Sequence, residues 1–231
     1  MPVLMITGAS RGIGAATARL AAAEGYRLAV LARDTDALSG LVDELGSDKA
    51  IALPCDVTDY TSLTEAVTST EQRYGSLDTV LANAGTSVPT SFLGNEGAEP
   101  DQWRDMVLTN VYGAAITARA ALPALVRSGG HLVLTGSNAG RGIRPGNLYS
   151  ATKWAVTGMA QNIRAECVGT GVRVTLVQPG MVETDMTADR NDVPKLHADD
   201  IARGILYALS QPKTVDVNEL TIRPTGQAPQ S

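Results

Sequence analysis

The segment Thr7–Gly14 (TGASRGIG) constrains the fold of this chain more than any other feature. It follows a short apolar run, Val3–Ile6, and opens an Ala-rich stretch, Gly12–Glu24, with small and apolar residues at helical spacing. The sequence therefore predicts a strand, a glycine turn and a helix in direct succession. Glycines at such a turn let the backbone approach a pyrophosphate, and the start of the helix supplies free N–H groups.

The glycine pattern also has a plainer interpretation. Its spacing, Gly-x-x-x-Gly-x-Gly, departs from the more general Gly-x-Gly-x-x-Gly. A glycine-rich turn without a ligand is therefore the alternative. The position between strand and helix favours the binding function. The residues predicted to contact a dinucleotide here are Gly8, Ser10, Arg11, Gly12, Ile13 and Gly14.

Apolar runs and helical segments alternate along the rest of the chain. Further strands are predicted at Leu28–Leu31, Ala50–Leu53, Leu77–Ala82, His131–Thr135, Val172–Val177 and Val217–Ile222. Helices are predicted at Asp34–Leu45, Asp59–Tyr74, Asp101–Val126, Leu148–Val168 and Asp199–Leu209, with Asp34 and Asp59 as N-caps. Continuous apolar strands separated by helices predict an α/β fold. We expect a doubly wound, Rossmann-type, parallel seven-stranded sheet with helices on both faces.

We expect a single domain over residues 1–231, with dinucleotide binding and catalysis on one unit. The least regular stretch, residues 184–198, is either a mobile substrate lid or a plain surface loop. Residues 225–231 are predicted to form a frayed tail.

Charge and composition exclude several classes of partner. The net charge of −5 gives no general attraction to nucleic acid or to an anionic membrane surface. No apolar run reaches the roughly 18 residues that span a bilayer. Cys55 and Cys167 lie far apart and are expected to be reduced, buried thiols, as in a cytoplasmic protein. His131 and His197 do not cluster with other ligands, so no metal site is predicted.

The end of the second strand carries a basic residue, Arg33. Where NAD is bound, an acidic residue usually ends this strand and contacts the ribose hydroxyls. A guanidinium can instead pair with a 2′-phosphate through two hydrogen bonds. Arg11, within the glycine loop, could reach the same phosphate, so the pattern favours NADP(H). Asp34 would repel that phosphate, and its expected function is to cap the next helix.

Two more strand ends carry candidate cofactor contacts. Asp56 and Val57 follow the third strand, where a carboxylate can accept from an adenine amino group or serve as a turn residue. The small residues Asn83, Ala84 and Gly85 end the fourth strand and leave room for a ligand in the crevice.

A tyrosine and a lysine stand four residues apart in the segment Tyr149–Lys153 (YSATK). On a helix they lie on one face, where an ammonium lowers the pKa of a nearby phenol. Tyr149 then becomes a usable general acid or base. By itself the spacing is also compatible with a packed tyrosine beside a solvated lysine.

Two polar residues accompany this pair. Ser137 directly follows the fifth strand, where its hydroxyl can donate to a substrate oxygen. Asn110 lies within a predicted helix, either as a surface residue or as part of a water-linked proton path to Lys153.

Taken together, these motifs resemble the short-chain dehydrogenase/reductase family, of the single-domain, NADP(H)-preferring type. The TGxxxGxG loop, the NAG segment at Asn83–Gly85 and the pair Asp56-Val57 are similar to the family's motifs in order and spacing. The four positions of the family's catalytic tetrad correspond to Asn110, Ser137, Tyr149 and Lys153. The segment Pro179–Thr184 matches a PG-x-x-x-T motif. The resemblance adds Pro179, Gly180, Val182 and Thr184, with Tyr149 and Lys153, to the cofactor contacts.

The resemblance implies an enzyme that moves a hydride between NADP(H) and a carbonyl or secondary alcohol of a small substrate. Ser137 and Tyr149 would bind the substrate oxygen, Tyr149 would exchange the proton, and Lys153 would bind the nicotinamide ribose. A homodimer or homotetramer is implied in the same way. The alternatives are an epimerase or dehydratase on the same scaffold and a nucleotide-binding regulatory protein. Arg141, Arg144 and Arg190 indicate either an acidic substrate or solvated loop charges.

Overall fold

The computed structural model describes residues 1–94, 97–190 and 193–227. Its strands are β1 (Val3–Thr7), β2 (Arg27–Ala32), β3 (Ala50–Pro54), β4 (Thr79–Ala82), β5 (His131–Thr135), β6 (Arg173–Pro179) and β7 (Glu219–Ile222). Its helices are α1 (Gly12–Ala23), α2 (Thr35–Leu45), α3 (Tyr60–Tyr74), α4 (Pro100–Val107), α5 (Ala114–Ser128), α6 (Leu148–Glu166) and α7 (Ala198–Leu209). Strands β4 and β7 each begin two residues later than predicted.

The strands form one sheet in the order β3-β2-β1-β4-β5-β6-β7. Every neighbouring pair is parallel. The chain runs outward from β1 to β3, returns to β4 beside β1, and then runs outward to β7. This confirms the predicted doubly wound sheet. A ligand crevice is expected where the strand order reverses, beyond the ends of β1 and β4.

Helices cover both faces of the sheet and create two apolar cores. One core contains side chains of α1, α2 and α7, and the other contains side chains of α3, α5 and α6. The central strands β1, β4 and β5 are buried along their whole length. Their continuous apolar runs follow from this burial on two faces, because neither face is left to water.

Side-chain caps fix where three helices begin. Asp34 accepts a hydrogen bond from the backbone N–H of Ala37 at 3.0 Å, which confirms its predicted function at α2. Asp59 accepts from Thr61 at 2.9 Å and caps α3. Asn147 caps α6, because its Oδ1 accepts a hydrogen bond from the backbone N–H of Ser150 at 2.8 Å. Each cap satisfies a backbone donor that has no partner within its helix.

The predicted single helix over Asp101–Val126 is wrong in one respect. The helical run is interrupted by a π-helical turn, Leu108–Gly113, between α4 and α5. The wider turn accommodates one extra residue and places Asn110 in the interior, where it is 1% exposed. Gly113 lies against the loop that follows β3, because a Cβ added at this glycine would be 2.9 Å from Cγ2 of Val57.

Both cysteines are free and buried, as expected. Within the described part of the chain, no helix is long and apolar enough to cross a membrane.

His131 at the start of β5 is buried, and its Nε2 lies 2.7 Å from Oγ1 of Thr175. Burial, together with the charge of Arg173, lowers its pKa from 6.5 to about 3. The unfolded chain therefore binds a proton that the folded chain does not, so stability falls as the pH drops from 6.5 towards 3.

We expect this histidine to contribute a loss of about 1.4 kcal/mol per pH unit in that window. Urea unfolding between pH 7 and pH 4.5 measures it, and His131→Gln should show a shallower dependence on pH. His197→Gln serves as the control, because the His197 side chain is 81% exposed. Equal slopes in wild type and His131→Gln would contradict the assignment.

Candidate active site

A cleft of about 860 Å³ lies beyond the carboxyl ends of the parallel strands. Residues at or directly after the ends of six strands, β1 to β6, line it, along with the first residues of α1 and the start of α6. The predicted cofactor contacts that line it are Gly8, Ser10, Arg11, Gly12, Ile13, Arg33, Asp56, Val57, Asn83, Ala84, Gly85, Tyr149, Lys153, Pro179, Gly180, Val182 and Thr184. The sheet thus brings together residues that are far apart in sequence.

The glycine loop needs glycine for two separate reasons. Gly8 and Gly12 have φ angles of +64° and +54°, in the left-handed region that side chains disfavour. Gly14 is needed for packing, since a Cβ there would lie 2.3 Å from the carbonyl oxygen of Gly8. The first N–H groups of α1 also donate no hydrogen bond to a side-chain cap. Bare N–H groups at a helix start are a fitting cradle for a pyrophosphate.

The side chain of Asn83 fastens this loop to the sheet. Its Nδ2 donates to the carbonyl oxygens of Thr7 at 3.1 Å and Gly8 at 3.2 Å. The hydroxyl of Thr7 in turn accepts from the backbone N–H groups of Asn83 and Ala84, at 3.0 and 3.1 Å. The ends of β1 and β4 are thereby held together at the crevice.

Arg33 and Arg11 both line the cleft. The guanidinium of Arg11 forms an ion pair with Asp185 at 3.2 Å, and both side chains are more than 75% exposed. An exposed pair of this kind stabilises the fold little, so Arg11 can exchange its partner at small cost. Asp34 beside Arg33 is engaged as the cap of α2.

Asp56 serves as a turn residue in this structure. Its Oδ1 accepts from the backbone N–H and the hydroxyl of Thr58, at 2.9 and 2.8 Å. These hydrogen bonds hold the pKa of Asp56 below its usual range. Of the two interpretations of Asp56, the turn is therefore observed, and its place in the cleft is compatible with an adenine contact.

Tyr149 and Lys153 lie on one face of α6, as the spacing predicts. The Lys153 Nζ is 5.7 Å from the centre of the Tyr149 ring. The expected lowering of the Tyr149 pKa is wrong for this structure, because burial of the phenol raises it. A hydrogen bond with Ser137 and the charge of Arg144 act in the opposite direction without cancelling that effect. The phenol is thus held in its protonated form.

Lys153 is buried, with 4% of its surface exposed, and its Nζ donates to the carbonyl oxygen of Thr135 at 2.9 Å. Burial lowers its pKa to about 8. The ammonium is therefore fixed at the end of β5, and it loses its proton more readily than an exposed lysine. A titratable group shifted in this way is typical of a functional site.

The π-helical turn places Asn110 beside this lysine. Its Oδ1 accepts from the backbone N–H of Thr86 at 2.8 Å, and its Nδ2 donates to Oγ1 of Thr152 at 3.1 Å. Gly85 leaves the intervening space open, since a Cβ there would lie 3.3 Å from Asn110 Oδ1 and 3.6 Å from Lys153 Nζ. Of the two interpretations of Asn110, the surface residue is excluded by this burial.

The loop after β6 closes the other side of the cleft. The backbone N–H of Gly180 donates to Ile222 at 2.7 Å, which fixes the turn after Pro179. Val182 is buried at the start of the loop. Thr184 reaches across to the glycine loop, since a Cβ at Gly12 would lie 3.2 Å from Cγ2 of Thr184.

Sequence reasoning missed several residues that line the cleft, among them Thr135, Asn138 and, in the terminal segment, Gln227. Its Oε1 accepts from the backbone N–H of Met181 at 3.4 Å. A polar residue in a Gly- and Pro-rich terminal segment carries no pattern that would have identified it. Residues 228–231 of the predicted tail lie outside the described part of the chain.

The three arginines singled out in the sequence separate into two groups. Arg144 and Arg190 line the cleft. Arg141 instead contacts Gln178 through its Nε at 2.7 Å and forms an ion pair with Glu219. The positive charge of Arg141 is therefore paired with Glu219 between two parts of the fold.

The sequence model of the short chain dehydrogenase family matches residues 2–195. The chain belongs to this family. A curated uncharacterized oxidoreductase of Staphylococcus aureus is 38% identical to this short-chain dehydrogenase over 96% of each chain.

Two solved structures resemble this short-chain dehydrogenase closely. An alcohol dehydrogenase from the archaeon Thermococcus sibiricus, complexed with 5-hydroxy-NADP, has a TM-score of 0.91 and 32% identity over 100% of both chains. The closed form of a serine dehydrogenase complexed with NADP+ has a TM-score of 0.90 and 29% identity, covering 98% of this chain and 96% of its own.

The packing of Gly14 yields a test of the loop. Gly14→Ala forces a methyl group against the carbonyl oxygen of Gly8, and overpacking of this kind costs about 1–3 kcal/mol of unfolding free energy. Gly40→Ala in α2 is the control, because a Cβ there meets nothing within 4 Å. That variant should be up to about 1 kcal/mol more stable, since alanine favours a helix. Denaturant unfolding of both variants checks this, and equal stability of the two would disprove the close approach.

Proposed function

We propose that the chain is an NADP(H)-dependent oxidoreductase that interconverts a carbonyl and a secondary alcohol of a small substrate. One observation carries the proposal. Tyr149, Ser137 and a buried Lys153 meet at the end of β5, in the same cleft that the glycine loop borders. A proton donor and a dinucleotide cradle in one cleft are what carbonyl reduction requires.

The cleft fits a dinucleotide phosphate cofactor. The bare backbone between Gly8 and Gly14 would hold the pyrophosphate, and Asp56 and Val57 would border the adenine. Arg33, with Arg11 released from Asp185, would pair with a 2′-phosphate. Both solved structures described above are complexed with NADP+ or an NADP derivative. When bound, the cofactor supplies or accepts a hydride at its nicotinamide ring.

The remaining chemistry falls to side chains of this protein. Ser137 would donate a hydrogen bond to the substrate oxygen, and Tyr149 would give its proton to that oxygen as negative charge develops there. The raised pKa of Tyr149 favours the reducing direction, because the phenol is still protonated when the substrate binds and can donate its proton. Lys153 would bind the nicotinamide ribose and, with Asn110 nearby, would allow the proton on Tyr149 to be replaced.

Residues 184–198 are proposed to act as a substrate lid. The support is the exposed ion pair between Arg11 and Asp185, together with the contact between Thr184 and the glycine loop. Pairing of Arg11 with a cofactor phosphate would release the first of these links. The segment Pro179–Thr184 would then be held by the nicotinamide end of the cofactor.

Tyr149→Phe tests the proton donor. Removing one preorganised donor aimed at developing charge lowers the rate by about 10²–10³. We expect at least that loss of kcat in carbonyl reduction, followed at 340 nm, with unchanged NADPH affinity by fluorescence titration. Tyr207→Phe is the matched control, because Tyr207 in α7 is exposed. Near-normal turnover of Tyr149→Phe would rule out the proposed function of this residue.

Arg33→Ala tests the cofactor preference. We expect the KM for NADPH to rise much more than the KM for NADH, since only NADPH has the 2′-phosphate that the guanidinium would bind. A tenfold difference corresponds to about 1.4 kcal/mol, within the range of one charge-assisted contact. Arg119→Ala, an exposed arginine of α5 outside the cleft, removes the same charge as a control. An equal loss for both cofactors would contradict the assignment.

A further inference from the structure

A single 3₁₀-helical turn, Asn138–Arg141, directly follows Ser137 and is called the serine turn below. The turn is hydrogen-bonded to Ser137 through two of its backbone groups. The Ser137 hydroxyl oxygen accepts from the N–H of Ala139 at 3.1 Å, and the Ser137 carbonyl oxygen accepts from the N–H of Gly140 at 2.9 Å. The position of the Ser137 hydroxyl therefore depends on the position of the serine turn.

One side of the serine turn packs against α6. The hydroxyl of Ser150, the residue after Tyr149, donates to the carbonyl oxygen of Ala139 at 2.6 Å. Gly140 lies directly on the helix backbone, because a Cβ added at this glycine would be 2.6 Å from the carbonyl oxygen of Lys153. The turn is thus in contact with the same stretch of helix that carries the proposed proton donor.

The other side of the serine turn is joined to β6 and β7 by the side chain of Arg141. Its Nε donates to Oε1 of Gln178 in β6 at 2.7 Å, and its Nη2 forms an ion pair with Oε2 of Glu219 in β7. Nε2 of Gln178 donates to the same oxygen of Glu219 at 3.3 Å. Three side chains, one from the turn and one from each strand, therefore form a closed set of hydrogen bonds.

Gln178 gives Arg141 a fixed point of attachment in the sheet. The Gln178 side chain is fully buried, with 0% of its surface exposed. A buried amide needs a partner for its oxygen and for its nitrogen, and here Arg141 and Glu219 supply them. The same side chain packs beside Gly136, the residue before Ser137, since a Cβ added at Gly136 would be 3.3 Å from Cγ of Gln178. The backbone on both sides of Ser137 is thereby tied to Gln178.

A second arginine joins α6 to the same two strands and provides a comparison. Arg164 donates from Nε to the carbonyl oxygen of Val174 in β6 at 3.1 Å and from Nη2 to that of Asn218, just before β7, at 2.7 Å. Arg164 is not among the described residues that line the cleft, and it has no printed contact with the serine turn. The side chains of Arg141 and Glu219 are 39% and 30% exposed, and an ion pair this exposed adds little to the stability of a whole fold. Loss of either guanidinium should therefore leave the chain folded.

We propose that Arg141 is a positioning residue, which binds Gln178 and Glu219 and so holds the serine turn against α6 with the Ser137 hydroxyl in place. The inference rests on the proposed function, because it concerns the donor to the substrate oxygen in the same cleft. Arg141 is not among the described residues that line the cleft, so it acts through Ser137 and takes no part in the transfer of hydride or proton. A donor that is already oriented costs no reorganisation when negative charge develops on the substrate oxygen.

Amide hydrogen exchange, resolved by residue with NMR, tests the attachment of the turn without any substrate. Arg141→Met removes the guanidinium and keeps an unbranched side chain. The N–H groups of Ala139 and Gly140, which are bonded to Ser137, should then exchange about tenfold faster, as expected when a charge-assisted contact is lost. Arg164→Met is the matched control, because it also removes two hydrogen bonds to β6 and the start of β7. It should leave both exchange rates unchanged.

A double-mutant cycle with Ser137→Ala tests whether Arg141 acts through the Ser137 hydroxyl. NADPH oxidation is followed at 340 nm with cyclohexanone, acetophenone, 2,3-butanedione and methyl acetoacetate, and the compound that the wild type reduces fastest is kept. Arg141→Met should lower kcat about 10- to 100-fold and leave the KM for NADPH unchanged, since misplacement of a reacting group by about 1 Å costs up to about 10²-fold. In the Ser137→Ala background the same change should lower kcat less than about twofold, because the hydroxyl that it positions is absent. Single turnover with enzyme in excess over NADPH keeps the slow variants measurable, and Arg164→Met should lower kcat in neither background.

The possible failures are distinguishable. If the two N–H groups exchange alike in wild type and Arg141→Met, Arg141 does not hold the turn, and the inference is disproved whatever the activity. If kcat is unchanged, or falls by the same factor with and without the Ser137 hydroxyl, Arg141 has a structural function only, and the oxidoreductase function stands. If the wild type reduces none of the four ketones while NADPH still binds by fluorescence, the proposed function is overturned and the inference with it.

Discussion

The hydrogen bonds of Asn83 hold the site together. One amide group donates to the carbonyl oxygens of Thr7 and Gly8, and its oxygen accepts from the hydroxyl of Thr135 at 3.4 Å. The ends of β1, β4 and β5 are joined at the point where the strand order reverses. The strand ladders and the hydrogen bond from the Ala9 N–H to Leu31 also hold this region. The Asn83 side chain adds a direct connection between the loop that starts α1 and the strand that precedes Ser137.

Thr135 extends the same network to the proposed catalytic pair. Its hydroxyl contacts Asn83, and its carbonyl oxygen accepts from the buried ammonium of Lys153. An ammonium in the interior needs such a partner, because burial without one is costly. Thr135 therefore contacts both Asn83, which holds the glycine loop, and Lys153, which lies beside Tyr149. In the proposed function, the same end of the sheet would position both the cofactor and the proton donor.

Most of the fold could be predicted from local pattern. Strands with continuous apolar runs, capping residues such as Asp34 and the glycine loop are each specified by neighbours in the sequence. The π-helical turn around Asn110 could not be, because its cause is tertiary. Gly113 packs against Val57, far away in the chain. The direction of the Tyr149 pKa was missed for a similar reason, since the helical spacing shows the nearby ammonium and does not show the burial of the phenol.

The most direct test of the account is a crystal structure of the chain with NADP+. The account predicts that the pyrophosphate lies against residues 8–14, that Arg33 contacts the 2′-phosphate, and that the Tyr149 hydroxyl faces the nicotinamide ring beside Ser137. If the Tyr149 hydroxyl points away from the ring and out of the cleft, the central claim is contradicted.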